Sequence, residues 1–181
     1  MLDIWPTFPL LIQGSANRPE ELDNIIAVLE RSDRVRHIIL RDFSSSHLEY
    51  VLSAMQEPFP ELTILRLRSS EVVTAVPDSF LVGRAPGLRF LGLEGIPFPC
   101  LPKLLLSTTH LETLCLEKIP HSGYFSPEAI VTALSNSTSL GFLVLEFQSP
   151  RSFPDQDSRR LPLTLAAFPL LRLMKFKGVS E

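Results

Sequence analysis

The apolar residues of this chain recur as a comb. In HLETLCLEKI, residues 110–119, Leu111, Leu114 and Leu116 are apolar, while Glu112, Thr113 and Glu117 are polar. An i, i+3, i+5 spacing fits neither a pure helical period nor a pure strand alternation. The same LxxLxL tooth stands at Val35, Ile38 and Leu40, at Leu62, Leu65 and Leu67, and at Leu88, Leu91 and Leu93. It stands again at Leu140, Leu143 and Leu145, and at Leu171, Met174 and Phe176. The first positions are separated by 27, 26, 23, 29 and 31 residues. LxxLxL at intervals of about 20–29 residues is the signature of leucine-rich repeats.

The physical reading counts positions within each tooth from its first apolar residue. Positions 4 and 6 share one face of a short strand and point inward. Positions 3, 5 and 7 alternate outward. One strand cannot hide its leucines, but parallel stacking buries them in a continuous column. The expected fold is α/β: a right-handed leucine-rich-repeat solenoid, with parallel strands on the concave side and helices or turns on the convex side. About six repeats place strands near 37–41, 64–68, 90–94, 113–117, 142–146 and 173–177, in one domain over residues 1–181.

Between the teeth the chain must return along the convex side. Residues 18–30, RPEELDNIIAVLE, put Leu22, Ile25, Ile26 and Leu29 on one helical face, with Pro19 in the first turn and Glu20 and Glu21 at its positive end. Residues 46–55 repeat the pattern through Leu48, Val51 and Leu52. Ser126, Pro127 and Glu128 form a helix start with Ser at the cap for residues 126–134. Returns at 77–82 and 101–107 are long enough for one or two turns. Pro60, Pro86 and Pro169 each precede a first tooth residue by two. Proline ends a preceding helix and holds an extended-compatible φ, so these three support the register. Residues 148–162, QSPRSFPDQDSRRLP, read as an insertion loop. Residues 1–12, with Trp5, Phe8, Leu10 and Ile12, read as part of a preceding strand, with Trp5 covering the end of the column. Neither end carries a finished cap, which a solenoid needs, so the expectation is a piece of a longer protein.

Composition narrows the class. The formal net charge of -3 is too small to draw a polyanion by long-range attraction. No apolar run is long enough to span a bilayer. The expectation is no nucleic-acid partner and no membrane. Cys100 and Cys115 are the only cysteines, too few for a disulfide framework, and the start lacks a basic signal-peptide region. Both features point to an intracellular site, cytoplasmic or nuclear, where the acceptor sequence Asn136-Ser137-Thr138 would go unused.

The segments MQEPFPELTILRL, PDSFLVGRAPGLRFLGLEGIPFPCLPKLLLSTTHLETL, IPHSGYFSPEAIVTALS, SLGFLVLEFQSPRSFPD and FKGVSE resemble the leucine-rich-repeat part of the F-box-like family of mushroom-forming fungi. The resemblance covers almost the whole chain and includes linker residues as well as leucines. It implies a protein-interaction module, the substrate-recognition repeats of an F-box-type ubiquitin-ligase receptor. The expectation is that the F-box itself is not part of this chain, so a Skp-type adaptor is implied only if one lies upstream. The chain also departs from many leucine-rich repeats at position 9, where Phe43, Ser70, Ile96, Ile119, Gln148 and Val179 replace an asparagine ladder. The alternatives are a leucine-rich-repeat scaffold or sensor fragment, and a decayed paralogue without a partner.

Candidate chemistry is sparse. His121 and Ser122 are adjacent, which seldom makes a nucleophile–base pair, and no G-x-S-x-G elbow occurs. Cysteine and histidine spacings do not fit zinc, and no phosphate-binding glycine motif is present. The expectation is no enzyme activity, no cofactor and no metal. The concave face is the candidate site. Position 7 reads Arg41, Arg68, Glu94, Glu117, Glu146 and Lys177, and position 5 reads Ile39, Arg66, Gly92, Cys115, Val144 and Lys175. With Phe90 and Phe142, these residues form a surface banded basic, acidic, basic. Glu94, Glu117 and Glu146 are expected to make a self-repelling column that would welcome a basic partner segment, with the flanking Arg66 and Arg68 selecting an acid at one end. The competing reading is an ordinary solvated strand face.

Overall fold

The computed structural model describes residues 8–15, 18–42, 44–69, 71, 75–78, 80–125, 127–135, 137–148 and 169–177. Seven strands join one sheet in chain order: β1 (Leu10–Ser15), β2 (Val35–Arg41), β3 (Ile64–Arg68), β4 (Phe90–Glu94), β5 (Thr113–Ile119), β6 (Phe142–Phe147) and β7 (Leu173–Lys177). Every neighbouring pair is parallel. The teeth align in register: Ile38, Leu65, Leu91, Leu114, Leu143 and Met174 are successive partners, as are Leu40, Leu67, Leu93, Leu116, Leu145 and Phe176. One strand more than the six teeth is present. β1 precedes them and lies further along the chain than the expected 1–12 segment. Its Ile12 pairs with Ile38 and is buried. Trp5 lies outside the described residues.

The helices α1 (Pro19–Leu29), α2 (Ser45–Ala54), α3 (Leu101–Ser107) and α4 (Pro127–Leu134) lie between successive strands in sequence. Leu22, Ile25, Ile26 and Leu29 of α1 and Leu48, Val51 and Leu52 of α2 face the core, as their spacing requires. Pro19 fits the first turn of α1, where its missing N–H costs nothing. Ser44 caps α2 through a hydrogen bond donated by the His47 N–H at 3.3 Å. The cap expected at Ser126 lies outside the described residues, as does residue 149 onward of the expected loop. Between β3 and β4 the described residues hold no helix. Residues 80–88 instead close i→i−3 turns, Phe80 N–H to Pro77, Arg84 N–H to Leu81 and Leu88 N–H to Ala85. Phe59 and Phe80 are buried nearby, and Phe80 meets Phe98 edge-on at 6.1 Å.

Hydrogen bonds repeat with the teeth. The N–H groups at positions 2 and 3 both donate to the position-2 carbonyl of the preceding tooth: Arg89 and Phe90 to Thr63, Glu112 and Thr113 to Arg89, Gly141 and Phe142 to Glu112, Arg172 and Leu173 to Gly141. At the strand exit, the position-8 N–H donates to the position-7 carbonyl of the next strand, Asp42 to Arg68, Ser69 to Glu94 and Gly95 to Glu117. Asp42, Gly95 and Lys118, all at position 8, have φ of 61°, 70° and 51°. At Asp42 and Gly95 the left-handed residue follows the end of the strand, whereas Lys118 lies within β5, whose Ile119 still pairs with Phe147. Gly95 is required for a second reason: a Cβ on it would stand 2.3 Å from the Ser69 carbonyl oxygen.

The fifteen tooth residues from Val35 to Leu145 are all buried. The last tooth departs from expectation. Leu171 is only partly buried, and Met174 is 63% exposed although its partner Leu143 is buried. β7 is the edge of the described sheet, so Met174 has a neighbouring strand on one side alone. The Phe176 side chain lies outside the description.

Candidate functional site

The face of the sheet opposite the core is built from positions 3, 5 and 7, and the parallel register arranges them in three rows. Position 3 runs Leu11, His37, Ile64, Phe90, Thr113, Phe142 and Leu173. Position 5 runs Gln13, Ile39, Arg66, Gly92, Cys115, Val144 and Lys175. Position 7 runs Ser15, Arg41, Arg68, Glu94 and Glu117, then Glu146 and Lys177 across the next pair. With strands about 4.8 Å apart, each row is about 29 Å long. Polarity therefore grades across the face: one margin is mainly apolar, the opposite margin charged.

All ten residues expected to bind lie on this face. Phe90 and Phe142 belong to the apolar margin, and Phe142 is 44% exposed. Arg66 and Lys175 lie in the middle row. Arg41, Arg68, Glu94, Glu117, Glu146 and Lys177 lie on the charged margin. Sequence reasoning missed the rest of the position-3 row, namely Leu11, His37, Ile64, Thr113 and Leu173. Applying the register to position 3 as it was applied to position 7 is the signal that finds them.

In the middle row Gly92 is buried beneath its neighbours. A Cβ there would meet the Phe90 ring at 2.9 Å and the Arg66 Cγ at 3.3 Å. The ring and the aliphatic stem of Arg66 thus close over the glycine and make an apolar floor. Its cross-strand partner is Cys115, whose thiol is pushed above its ordinary pKa by burial and then by the Glu117 carboxylate.

The self-repelling acidic column is corrected by the geometry. Glu94, with only 13% of its side chain exposed, takes the Arg68 Nε at 3.2 Å and the Lys118 Nζ at 2.6 Å. Glu146 takes Lys177 at 2.9 Å and Lys175 at 3.7 Å. The hydrogen bond from Lys177 holds the Glu146 carboxyl below its ordinary range, against a smaller opposing effect of burial. The column is also broken in register. Regular pairing of β5 with β6 lapses between Leu116 and Ile119, and Lys118 adopts its left-handed conformation there. A bulge of this kind re-aims a side chain, and here Lys118 reaches back to the acid on β4. Of the three acids, Glu117 alone makes no ion pair among the described residues.

Other chemistry-bearing groups lie apart. Cys100 donates to Asp78 at 2.6 Å, and Lys103 pairs with Asp78 at 3.3 Å. His121 and Ser122 are exposed on a 3-10 turn, His121–Gly123. Among the described residues no helix is long and apolar enough to cross a membrane. Comparison of the chain with protein-family models, with curated proteins and with solved structures finds no match.

Proposed function

We propose that the chain is a leucine-rich-repeat solenoid whose open sheet face docks another protein, as the substrate-recognition part of an F-box-type ubiquitin-ligase receptor. Three features support the repeat reading: the sheet runs strictly in chain order, the teeth stack in register, and the hydrogen bonds at positions 2, 3 and 8 recur. One observation carries the docking reading. Phe142 and Leu173 stay exposed on the open face beside charged side chains, while the core is filled without them. Solenoid faces of this extent serve protein recognition. The ligase assignment rests on the family resemblance, and the reading gives the chain no catalysis of its own.

The test places a photo-crosslinking amino acid at Val144 on the open face and, as a control, at Glu49 on α2. A protein captured in the host from position 144 and not from 49 is the expected result. Equal capture from both sites overturns the docking reading. The ligase assignment adds that deletion of the gene lengthens the half-life of the captured protein. Capture with an unchanged half-life favours the scaffold alternative.

A further inference from the structure

The charge of the open face is not that of the chain. Positions 5 and 7 carry five cations, Arg41, Arg66, Arg68, Lys175 and Lys177, against the carboxylates Glu94, Glu117 and Glu146. That is a formal excess of two positive charges on a chain of net charge -3, so the remainder carries a net charge of -5. The excess is concentrated at one corner. Arg41 and Arg68 are cross-strand partners, and Arg66 is two residues before Arg68 on the same face. The nearest row acid, Glu94, is already shared by Arg68 and Lys118. Arg41 and Arg66 are exposed and make no ion pair among the described residues. Beside them lie Ile39, Ile64 and Phe90, all partly exposed, with the Phe90 ring and the Arg66 stem both over Gly92.

We propose that the β2–β4 corner of this face binds an acidic, apolar protein segment, whose carboxylates meet Arg41 and Arg66 and whose apolar side chains cover Ile39, Ile64 and Phe90. This rests on the docking reading; it extends the acid that the sequence assigns to the Arg66 and Arg68 end and replaces the basic segment expected over the middle of the face. Guanidinium groups present planar donor forks suited to carboxylates, and they shed hydration more readily than ammonium groups. Two such groups without partners beside apolar surface leave charge to be matched and area to be covered in one place. A basic segment would meet Arg41 and Arg66 as like charges, and the carboxylates of Glu94 and Glu146 are already engaged.

The test pans a random-peptide display library against the immobilised protein and measures the enriched peptides by fluorescence anisotropy. The expected binders combine Asp or Glu with Leu, Ile, Phe or Trp, and Arg41→Glu with Arg66→Glu weakens them at least about tenfold, more at low salt than at high salt. The milder pair Arg41→Gln and Arg66→Gln, with circular dichroism, separates lost charge from lost fold. Replacing the peptide acids by amides should weaken binding similarly. Basic binders, acidic binders indifferent to the arginine substitutions, or tighter binding of a single-stranded oligonucleotide would overturn the acidic preference. Basic binders weakened by Glu117→Lys would still leave the docking reading standing. A library that yields no binder to this face would overturn both.

Discussion

The two faces of the one sheet obey different rules. On the core face every tooth from Val35 to Leu145 is apolar and buried. On the open face, position 5 alone changes from Ile39 to Arg66, Gly92, Cys115, Val144 and Lys175. The core face must fill the same space at every repeat, so its chemistry is fixed. The open face touches only solvent or a partner, so each repeat is free to differ. Stability should therefore concentrate on one face and specificity on the other.

Substitutions can break that division. The largest effect is expected at Leu114, fully buried in an interior strand: Leu114→Ala should lose about 2–5 kcal/mol through lost burial and a residual cavity. Urea melts that show well under 1 kcal/mol would place Leu114 outside the core. Gly95→Ala should come next, costing more than about 1 kcal/mol, because it adds left-handed strain to a collision with the Ser69 backbone. A melting temperature unchanged by this substitution would refute the strand-exit geometry. Met174→Ala shares a row with Leu114 but lies at the exposed edge, and should cost less than about 1 kcal/mol. An interior-sized loss there would show that β7 is covered in solution.

Smaller effects sharpen the open face. Because its folded pKa is depressed, Glu146 contributes stability above the pKa of the unfolded chain, and this is lost as pH falls through the folded value. Lys177→Ala should raise the Glu146 titration midpoint followed by carboxyl NMR, and a midpoint that stays put would dismiss the pair. On the helical side, Ser137 is buried with a hydroxyl that has no hydrogen-bond partner among the described residues. Ser137→Ala should be neutral or slightly stabilising in urea melts.

The fold was legible because burial repeats. Leu65, Leu91, Leu114 and Leu143 could be aligned from spacing alone, and Leu22, Ile25, Ile26 and Leu29 announced α1. β1 was only half legible, since Leu10 and Ile12 lack the full tooth. Met174 read like Leu143, yet its exposure depends on what packs beside β7, and that information is not local. The site was legible in its membership and not in its pairing. Glu94, Glu117 and Glu146 fall at one position, which reads as a column. The left-handed turn at Lys118 and its reach to Glu94 arise from a bulge that no spacing rule encodes.

The division between the faces is tested most directly along a single strand. Alanine substitution of Thr113, Leu114, Cys115, Leu116 and Glu117 in β5, each followed by urea unfolding, should give costs that alternate. Leu114 and Leu116 should lose about 2–5 kcal/mol, while Thr113, Cys115 and Glu117 lose less than about 1 kcal/mol. A flat profile, or one in which Thr113 and Glu117 carry the larger losses, would contradict the two-faced sheet.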